Sequence, residues 1–375
     1  MTGILQIGMM VPMFLAGASG HSAEEFINIE KLSDRVILAY WVGTDRRCNL
    51  TAMKTQKGLV IVDTEMSPRI MAPIKERIER VFGRHDWAYV INTHAHDSHP
   101  GGNSLFSGVV IVGHDNLAAD MEWIIRRQTE PDRQRALDQG HQLIRNLRAF
   151  LPQVARKRGQ TRMVEGEIKF AELHLQDLQE GYPVVKPSLT FADKLLLDCG
   201  DLQLELVYFG KGHSNSDILV YVPQERLLVT GSLVYQRALV PEIAEETQLQ
   251  DVYRFMAVLD RFLPDEVKIE HLVPSHSPPL EKKDLFPVRD YLQRMLVGVQ
   301  AAQKEGLTLE QTIKRLDLRT NFPAFYDRPP GAWSHGFHER NLGNLWRILK
   351  EEQPPPAPGQ GKEENPAPTA TVNRQ

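Results

Sequence analysis

Thr93-His94-Ala95-His96-Asp97-Ser98-His99-Pro100-Gly101-Gly102 places three histidines within six positions, directly after the apolar run Trp87-Ala88-Tyr89-Val90-Ile91-Asn92. That run reads as a buried strand. In an extended stretch, residues two apart point the same way. His94 and His96 therefore aim their imidazoles at one ion, and His99, beyond the turn of the chain, faces a second ion close by. Neutral imidazole is a common zinc ligand. One histidine alone reads as a structural or surface residue; three at this spacing read as a metal loop.

Two more histidines follow later strand-like runs. Gly212-His213-Ser214-Asn215-Ser216-Asp217 comes after the run ending at Phe209, and Pro274-Ser275-His276-Ser277-Pro278 after the run ending at Val273. Ligands at the carboxyl ends of successive strands converge on one edge of a sheet, where sites in α/β proteins tend to lie. Either motif alone is weak, and their order is what carries weight.

With these residues in view, the chain resembles the metallo-β-lactamase superfamily. Asp63 ending an early strand, the His94-x-His96-x-x-His99 loop, Gly212-His213, Thr230-Gly231-Ser232 and Pro274-Ser275-His276 are similar to its five ordered motifs. The resemblance implies an α/β fold, a four-layer αβ/βα sandwich of two mixed sheets with helices outside. It also implies a first zinc on His94, His96 and His213, and a second on His99 and His276. Two positions depart from the pattern. Ser98 stands where the family places a metal-ligating Asp, and Ser232 where many of its hydrolases carry a bridging Asp. A neutral hydroxyl is a poor zinc ligand beside a carboxylate. One tight zinc and a weak or absent second one are expected.

Three neutral imidazoles leave zinc its full charge and an open position, where bound water has a pKa of roughly 7. The expected chemistry is attack on a carbonyl-type substrate: a lactam, ester, thioester or lactone. A β-lactamase activity is one case of it. Asp97 or Ser98 would hold the water. Asp63 and Asp217, with Ser232, would support the ligands from behind, as such groups commonly do; for the two carboxylates, stabilising a turn or a helix cap is the other reading. Lys211, beside Gly212-His213, reads as a solvated loop lysine or as a cation that attracts an anionic substrate. Two other classes compete. One is a degenerate member that binds metal or ligand without turnover. The other is an accessory protein of a sulfur or quinoprotein oxidation pathway. Trp333-Ser334-His335-Gly336-Phe337-His338 reads either as a cover over the site mouth or as plain packing.

Around this centre the chain alternates strands and helices, as layered α/β architecture requires. Ile70, Ile74, Ile78 and Val81 predict a helix over 68–82, and Val267 to Val273 reads as the last strand. Residues 116–181 read as a helical insertion of three amphipathic stripes packed on each other, with a lid or homo-oligomer surface as the functional alternative. The domain itself spans 24–350, with a C-terminal helical part over 284–350. Residues 353–375 are too rich in Pro, Gly and Glu to bury a core.

The net charge of -4 and the absence of a long basic block argue against nucleic acid as partner. Cys48 and Cys199 are too few for a disulfide framework and form no CxxC, so a thiolate zinc site is excluded. Both read as buried small side chains. Residues 1–18 combine an apolar run with Ala16-Gly17-Ala18, a signal-peptide pattern without a basic n-region. The run is short for a membrane span. A periplasmic or secreted location and a small-molecule substrate are expected.

Overall fold

The computed structural model describes residues 21–43, 48–234, 239–325 and 333–351. The leader over 1–18 and the tail over 353–375 lie outside the described residues.

Strands β1 (Ile27–Lys31), β2 (Val36–Trp41), β3 (Leu50–Thr55) and β4 (Gly58–Val62) pair antiparallel in sequence order. Helix α1 (Pro68–Phe82) crosses over to β5 (Trp87–Ile91), which lies parallel to β4, and β6 (Val110–His114) adds parallel to β5. Four helices follow: α2 (Leu117–Asp120), α3 (Glu122–Arg127), α4 (Asp132–Val154) and α5 (Arg158–Glu180). Then β7 (Leu189–Phe191) pairs parallel to β6 and completes a seven-stranded mixed sheet. The second sheet is an antiparallel run of β8 (Lys194–Asp198), β9 (Gln203–Tyr208), β10 (Ile218–Val222) and β11 (Leu227–Gly231). Helix α6 (Leu249–Phe262) leads to β12 (His271–Pro274), parallel to β11, giving five strands. Helices α7 (Leu285–Lys304), α8 (Leu309–Arg315), α9 (Leu318–Asn321) and α10 (Trp333–Glu351) end the fold.

Side-chain alternation sorts these elements into four layers. Val60 and Val62 of β4 face Val220, Val229 and Val273 of the second sheet, whereas Ile61 between them packs outward with Ile70, Ile74 and Ile78 of α1. On the other side, Leu227 and Val229 point into the sandwich while Leu228 packs with α6 and α7 through Val252, Met256 and Leu292. Both faces of each sheet are therefore apolar, and each buried Leu, Ile or Val contributes about 1.5–3 kcal/mol. The α/β four-layer sandwich expected from the motifs is the architecture observed.

Helix α1 starts with Pro68 in its first turn and ends at Phe82, as its apolar spacing predicts. Thr308 and Gln311 close a capping box on α8.

Two expectations are corrected. The strand read over 267–273 is formed only from His271 onward, because the backbone N–H of Val267 closes a turn on Pro264 and that of Glu270 bonds Arg226. In the insertion, the α4 and α5 stripes do pack together, through Ile144, Val154, Val164, Ile168 and Leu175. The first stripe does not join them. Leu117, Met121 and Ile124 close instead over Ala95, inside the histidine loop. Helix α5 also reaches the first sheet, where Phe170 meets the Trp41 ring edge-on and the Trp41 indole N–H donates to the Gly166 carbonyl at 2.8 Å.

Candidate metal centre

The loop after β5 sits tightly on the turn after β4. The carbonyl of His99 accepts the Thr64 N–H at 2.6 Å and the Thr64 hydroxyl at 2.9 Å. A Cβ on Gly101 would lie 2.1 Å from the Met66 carbonyl oxygen, and one on Gly102 2.2 Å from that of Thr64. Only glycine permits this approach. Asp63 and Glu65, on the supporting turn, both hold positive φ, 65° and 62°. Such strained backbone persists where surrounding structure enforces it, often at functional sites.

The five histidines meet at this edge. The His94 ring lies 5.0 Å from those of His96 and His213, and the His96 and His213 rings are 4.4 Å apart. His99 lies 3.8 Å from His94 and 5.3 Å from His276, centroid to centroid.

Hydrogen bonds fix the tautomers of three of these rings. Asp63 takes the Thr93 N–H on Oδ1, and the Thr93 hydroxyl and His99 Nδ1 on Oδ2, each at 2.8 Å. With the Thr93 proton given to Asp63, His94 Nδ1 donates to Thr93 Oγ1 at 3.0 Å. His213 Nδ1 donates to Glu242 Oε2 at 2.9 Å. Each bond places a proton on Nδ1 and leaves Nε2 as the atom that the ring can turn to a metal. His96 Nδ1 lies 2.7 Å from His213 Nε2. Burial, reinforced by the neighbouring imidazoles, holds His94 well below the usual histidine range and takes His96 down to about 2. Both are neutral, the form that binds metal.

Whether a metal fits is answered by the buried atoms that the protein leaves unsatisfied. Nε2 of His94 and Nε2 of His99 have no hydrogen-bond partner, nor do Oγ of Ser232, Oγ of Ser275 and Oδ1 of Asp217. Native proteins leave few such atoms, and a cluster of them marks a place for an ion or water. One ligand atom each from His94, His96 and His213 lies within 4.8 Å of the others. That donor set suits a three-histidine zinc site with an open position. Among the described residues, no third His, Cys or carboxylate groups with His99 and His276 in the same way.

The remaining candidates fall out unevenly. The Asp97 carboxylate is engaged by Arg127 of α3 at 2.6 Å and receives the Ser98 N–H at 3.0 Å. Ser98 is half-buried, and its carbonyl accepts the Cys48 thiol at 3.2 Å. Ser232 is buried at the end of β11. Lys211 is half-exposed beside His213 and forms no ion pair among the described residues. Asp63 supports both Thr93 and His99. Asp217 does not support an imidazole: it receives the Ser214 N–H and steadies the loop that carries His213. The short reach of an Asp two residues beyond Asn215 is spent on that turn. His338 does not cover the site either. It is buried in the helical layer between the Tyr291 hydroxyl and the Leu316 carbonyl, at 3.0 and 2.7 Å. Of His335 only the backbone lies within the described residues. Cys48 and Cys199 are both free and buried.

Three participants escaped the sequence reading. Glu242, in the irregular segment before α6, holds His213 and is itself held by Arg340 of α10 at 2.7 Å. Trp123 donates its indole N–H to the Ala95 carbonyl at 3.1 Å and meets the His96 ring edge-on. Glu65 is fully buried behind the loop, with one carboxylate oxygen unpartnered, and burial, with Asp63 nearby, pushes its carboxyl well above the usual range. Glu242 lies in no periodic pattern, and Trp123 stands outside the helical stripe of Leu117, Met121 and Ile124.

Residues 43–276 match the family model of the metallo-beta-lactamase superfamily. The chain is 25% identical over 197 residues to a metallo-beta-lactamase type 2 of Bacillus cereus, a match covering 52% of this chain and 55% of that relative's length. A metallo-beta-lactamase from Pontibacter korlensis aligns at a TM-score of 0.48 with 19% identity, over 71% of this chain and 99% of its own. With the histidine loop, the two mixed sheets and the matched region covering more than half of its length, the chain belongs to the metallo-beta-lactamase superfamily.

Proposed function

We propose that this protein is a zinc-dependent hydrolase of a carbonyl-type substrate: a lactam, ester, thioester or lactone. Superfamily membership supports metal-dependent hydrolysis in general. The observation that carries the finer reading is the set of three imidazoles, from His94, His96 and His213, whose ligand atoms lie within 4.8 Å of one another. When bound there, zinc supplies a Lewis acid that polarises an electrophilic oxygen and acidifies water.

The chain's own residues do the rest. Thr93 and Glu242 fix the His94 and His213 rings, with Nε2 as the atom that each can turn to a metal. Trp123 and Arg127 hold the loop from the side, so His96 stays in register with His213. Ser98, half-buried between Asp97 and His99, offers a hydroxyl to orient water or substrate. Lys211 offers a cation beside His213 to an anionic group on the substrate.

The test is an elemental count of zinc and iron in the purified chain, followed by a panel of lactam, ester, thioester and lactone substrates. The expected result is about one zinc per chain and turnover of at least one class, lost in His96→Ala. Protein that holds no zinc after zinc is supplied overturns the proposal. A second reading, binding without turnover, is favoured by one observation: among the described residues the histidines that group around a metal position are His94, His96 and His213, one such group and not two. An inert wild type whose Ser98→Asp variant gains activity selects it.

A further inference from the structure

The α4–α5 hairpin ends in a surface of one sign. Residues 139–164 hold Arg145, Arg148, Arg156, Lys157, Arg158 and Arg162 and no Asp or Glu, in a chain whose net charge is -4. Arg148 pairs with Glu172 of α5 at 2.7 Å, and Arg162 donates to the Glu25 carbonyl at 2.8 Å. Arg145, Arg156, Lys157 and Arg158 are exposed and form no ion pair among the described residues. The last three stand at the turn between the helices. That turn is pinned, because the Thr161 hydroxyl and the Lys157 N–H both donate to the Val154 carbonyl at 2.8 Å. The cations are therefore held at the end of a folded hairpin. Two large apolar side chains lie exposed in the same stretch, Phe150 of α4 at 44% and Met163 of α5 at 37%. The buried side chains of 141–163 are Ile144 and Val154, and both pack inside the hairpin's own cluster.

The geometry points to this hairpin end as a docking surface for an anionic phospholipid bilayer. Cations with bulky apolar side chains among them are what interfacial elements carry. The apolar groups enter the boundary between headgroups and acyl chains, while Arg and Lys reach the phosphates. Charge complementarity draws this end, opposite in sign to the chain as a whole, toward such a surface. No helix of the described residues is long and apolar enough to cross a membrane; the contact is with the surface. A second copy of the chain fits less well, because a symmetric interface repeats one patch on both sides and would set these cations against each other. A nucleic acid matches the cations through its phosphates but offers Phe150 and Met163 no acyl-chain layer. The docking does not depend on the metal centre.

The test uses the full chain and sucrose-loaded vesicles, sedimented at low ionic strength. One set holds about 30 mol% phosphatidylglycerol in phosphatidylcholine, to give a negative surface; the other is phosphatidylcholine alone. Wild type sediments with the anionic vesicles and not with the neutral ones, and binds more weakly at about 0.5 M NaCl. Arg156→Gln, Lys157→Gln and Arg158→Gln together lower the partition coefficient on the order of 100-fold, about fivefold per cation. Phe150→Ser lowers it about tenfold. A control triple variant, Lys268→Gln, Lys304→Gln and Lys350→Gln, removes the same charge at exposed residues outside the hairpin and changes the coefficient less than about threefold. Thermal unfolding checks that each variant is folded. Wild type that stays in solution beside anionic vesicles overturns the proposal, and so do equal losses in the two triple variants or an unchanged coefficient in Phe150→Ser. Two more outcomes overturn it by naming another occupant. One is labelled single-stranded DNA bound where vesicles are not, and lost in the hairpin triple variant. The other is a dimer in sedimentation velocity that dissociates in Phe150→Ser, without vesicle binding.

Discussion

The carboxylate of Glu242 lies 2.9 Å from Nδ1 of His213, and through that bond the helical layer outside the second sheet reaches the candidate metal centre. Arg340 of α10 holds the other oxygen of the same carboxylate. Carboxylates that hold a ligating histidine fix its tautomer and raise its basicity.

Glu242→Gln is accordingly expected to weaken zinc binding about 10- to 100-fold. Arg340→Met should have a smaller effect, since Arg340 acts only through Glu242. Competition with a chelating indicator measures both. Unchanged affinity in Glu242→Gln would show that the bond is incidental.

Ser98→Asp restores a carboxylate beside His99 and His276. The variant is expected to hold one more zinc per chain than wild type, counted by elemental analysis after dialysis. Equal counts would mean that the carboxylate does not reach the second pair.

Gly101→Ala drives a methyl group to 2.1 Å from the Met66 carbonyl oxygen, a backbone atom that cannot swing away. The cost is expected to be about 3 kcal/mol, the upper range for overpacking. Thermal unfolding would show it, together with a loss of zinc affinity as the loop lifts. A variant with wild-type stability and affinity contradicts the close approach described here.

The fourth prediction concerns pH. Burial raises the Glu65 carboxyl, with the Asp63 charge adding to it. Below the ordinary glutamate range both folded and unfolded chains hold this proton, and the group has no effect. Above it the unfolded chain releases the proton while the native chain retains it, so stability is lost as pH rises. Glu65→Gln should therefore raise Tm at pH 8 and leave it unchanged near pH 4, in metal-free protein. The same Tm difference at both pH values would reject the argument.

The parts of the site that were legible in the sequence are those carried by strands. His94, His96, His99, His213 and His276 each follow a run whose apolar character places it in a buried sheet, so their convergence follows from topology. Asp63 was legible for the same reason. Glu242 was not, because residues 239–248 have no period and its role depends on α10, about a hundred positions away. Of the two readings of Asp217 the structure shows the turn, and the sequence does not separate them because a carboxylate near a histidine motif looks the same whether it meets the ring or the backbone. The α2–α3 stripe at Leu117, Met121 and Ile124 gives a correct helical face but no sign of the surface that it covers. That surface is Ala95, a single small residue in a loop dominated by histidines.

The grip of α10 on the segment before α6 sets the boundaries of any working fragment. Asn341 accepts the Ile243 N–H and donates to the Pro241 carbonyl, Asn344 donates to the Ile243 carbonyl, and Arg340 meets Glu242 between them. A polypeptide cut after His276 would carry all five histidines and both sheets, yet it would lack the anchors that keep Glu242 against His213. For recombinant expression, a minimal version that takes up metal with full affinity must therefore run through Asn344, even though among the described residues the one group placed to hold a metal, His94, His96 and His213, lies well before it.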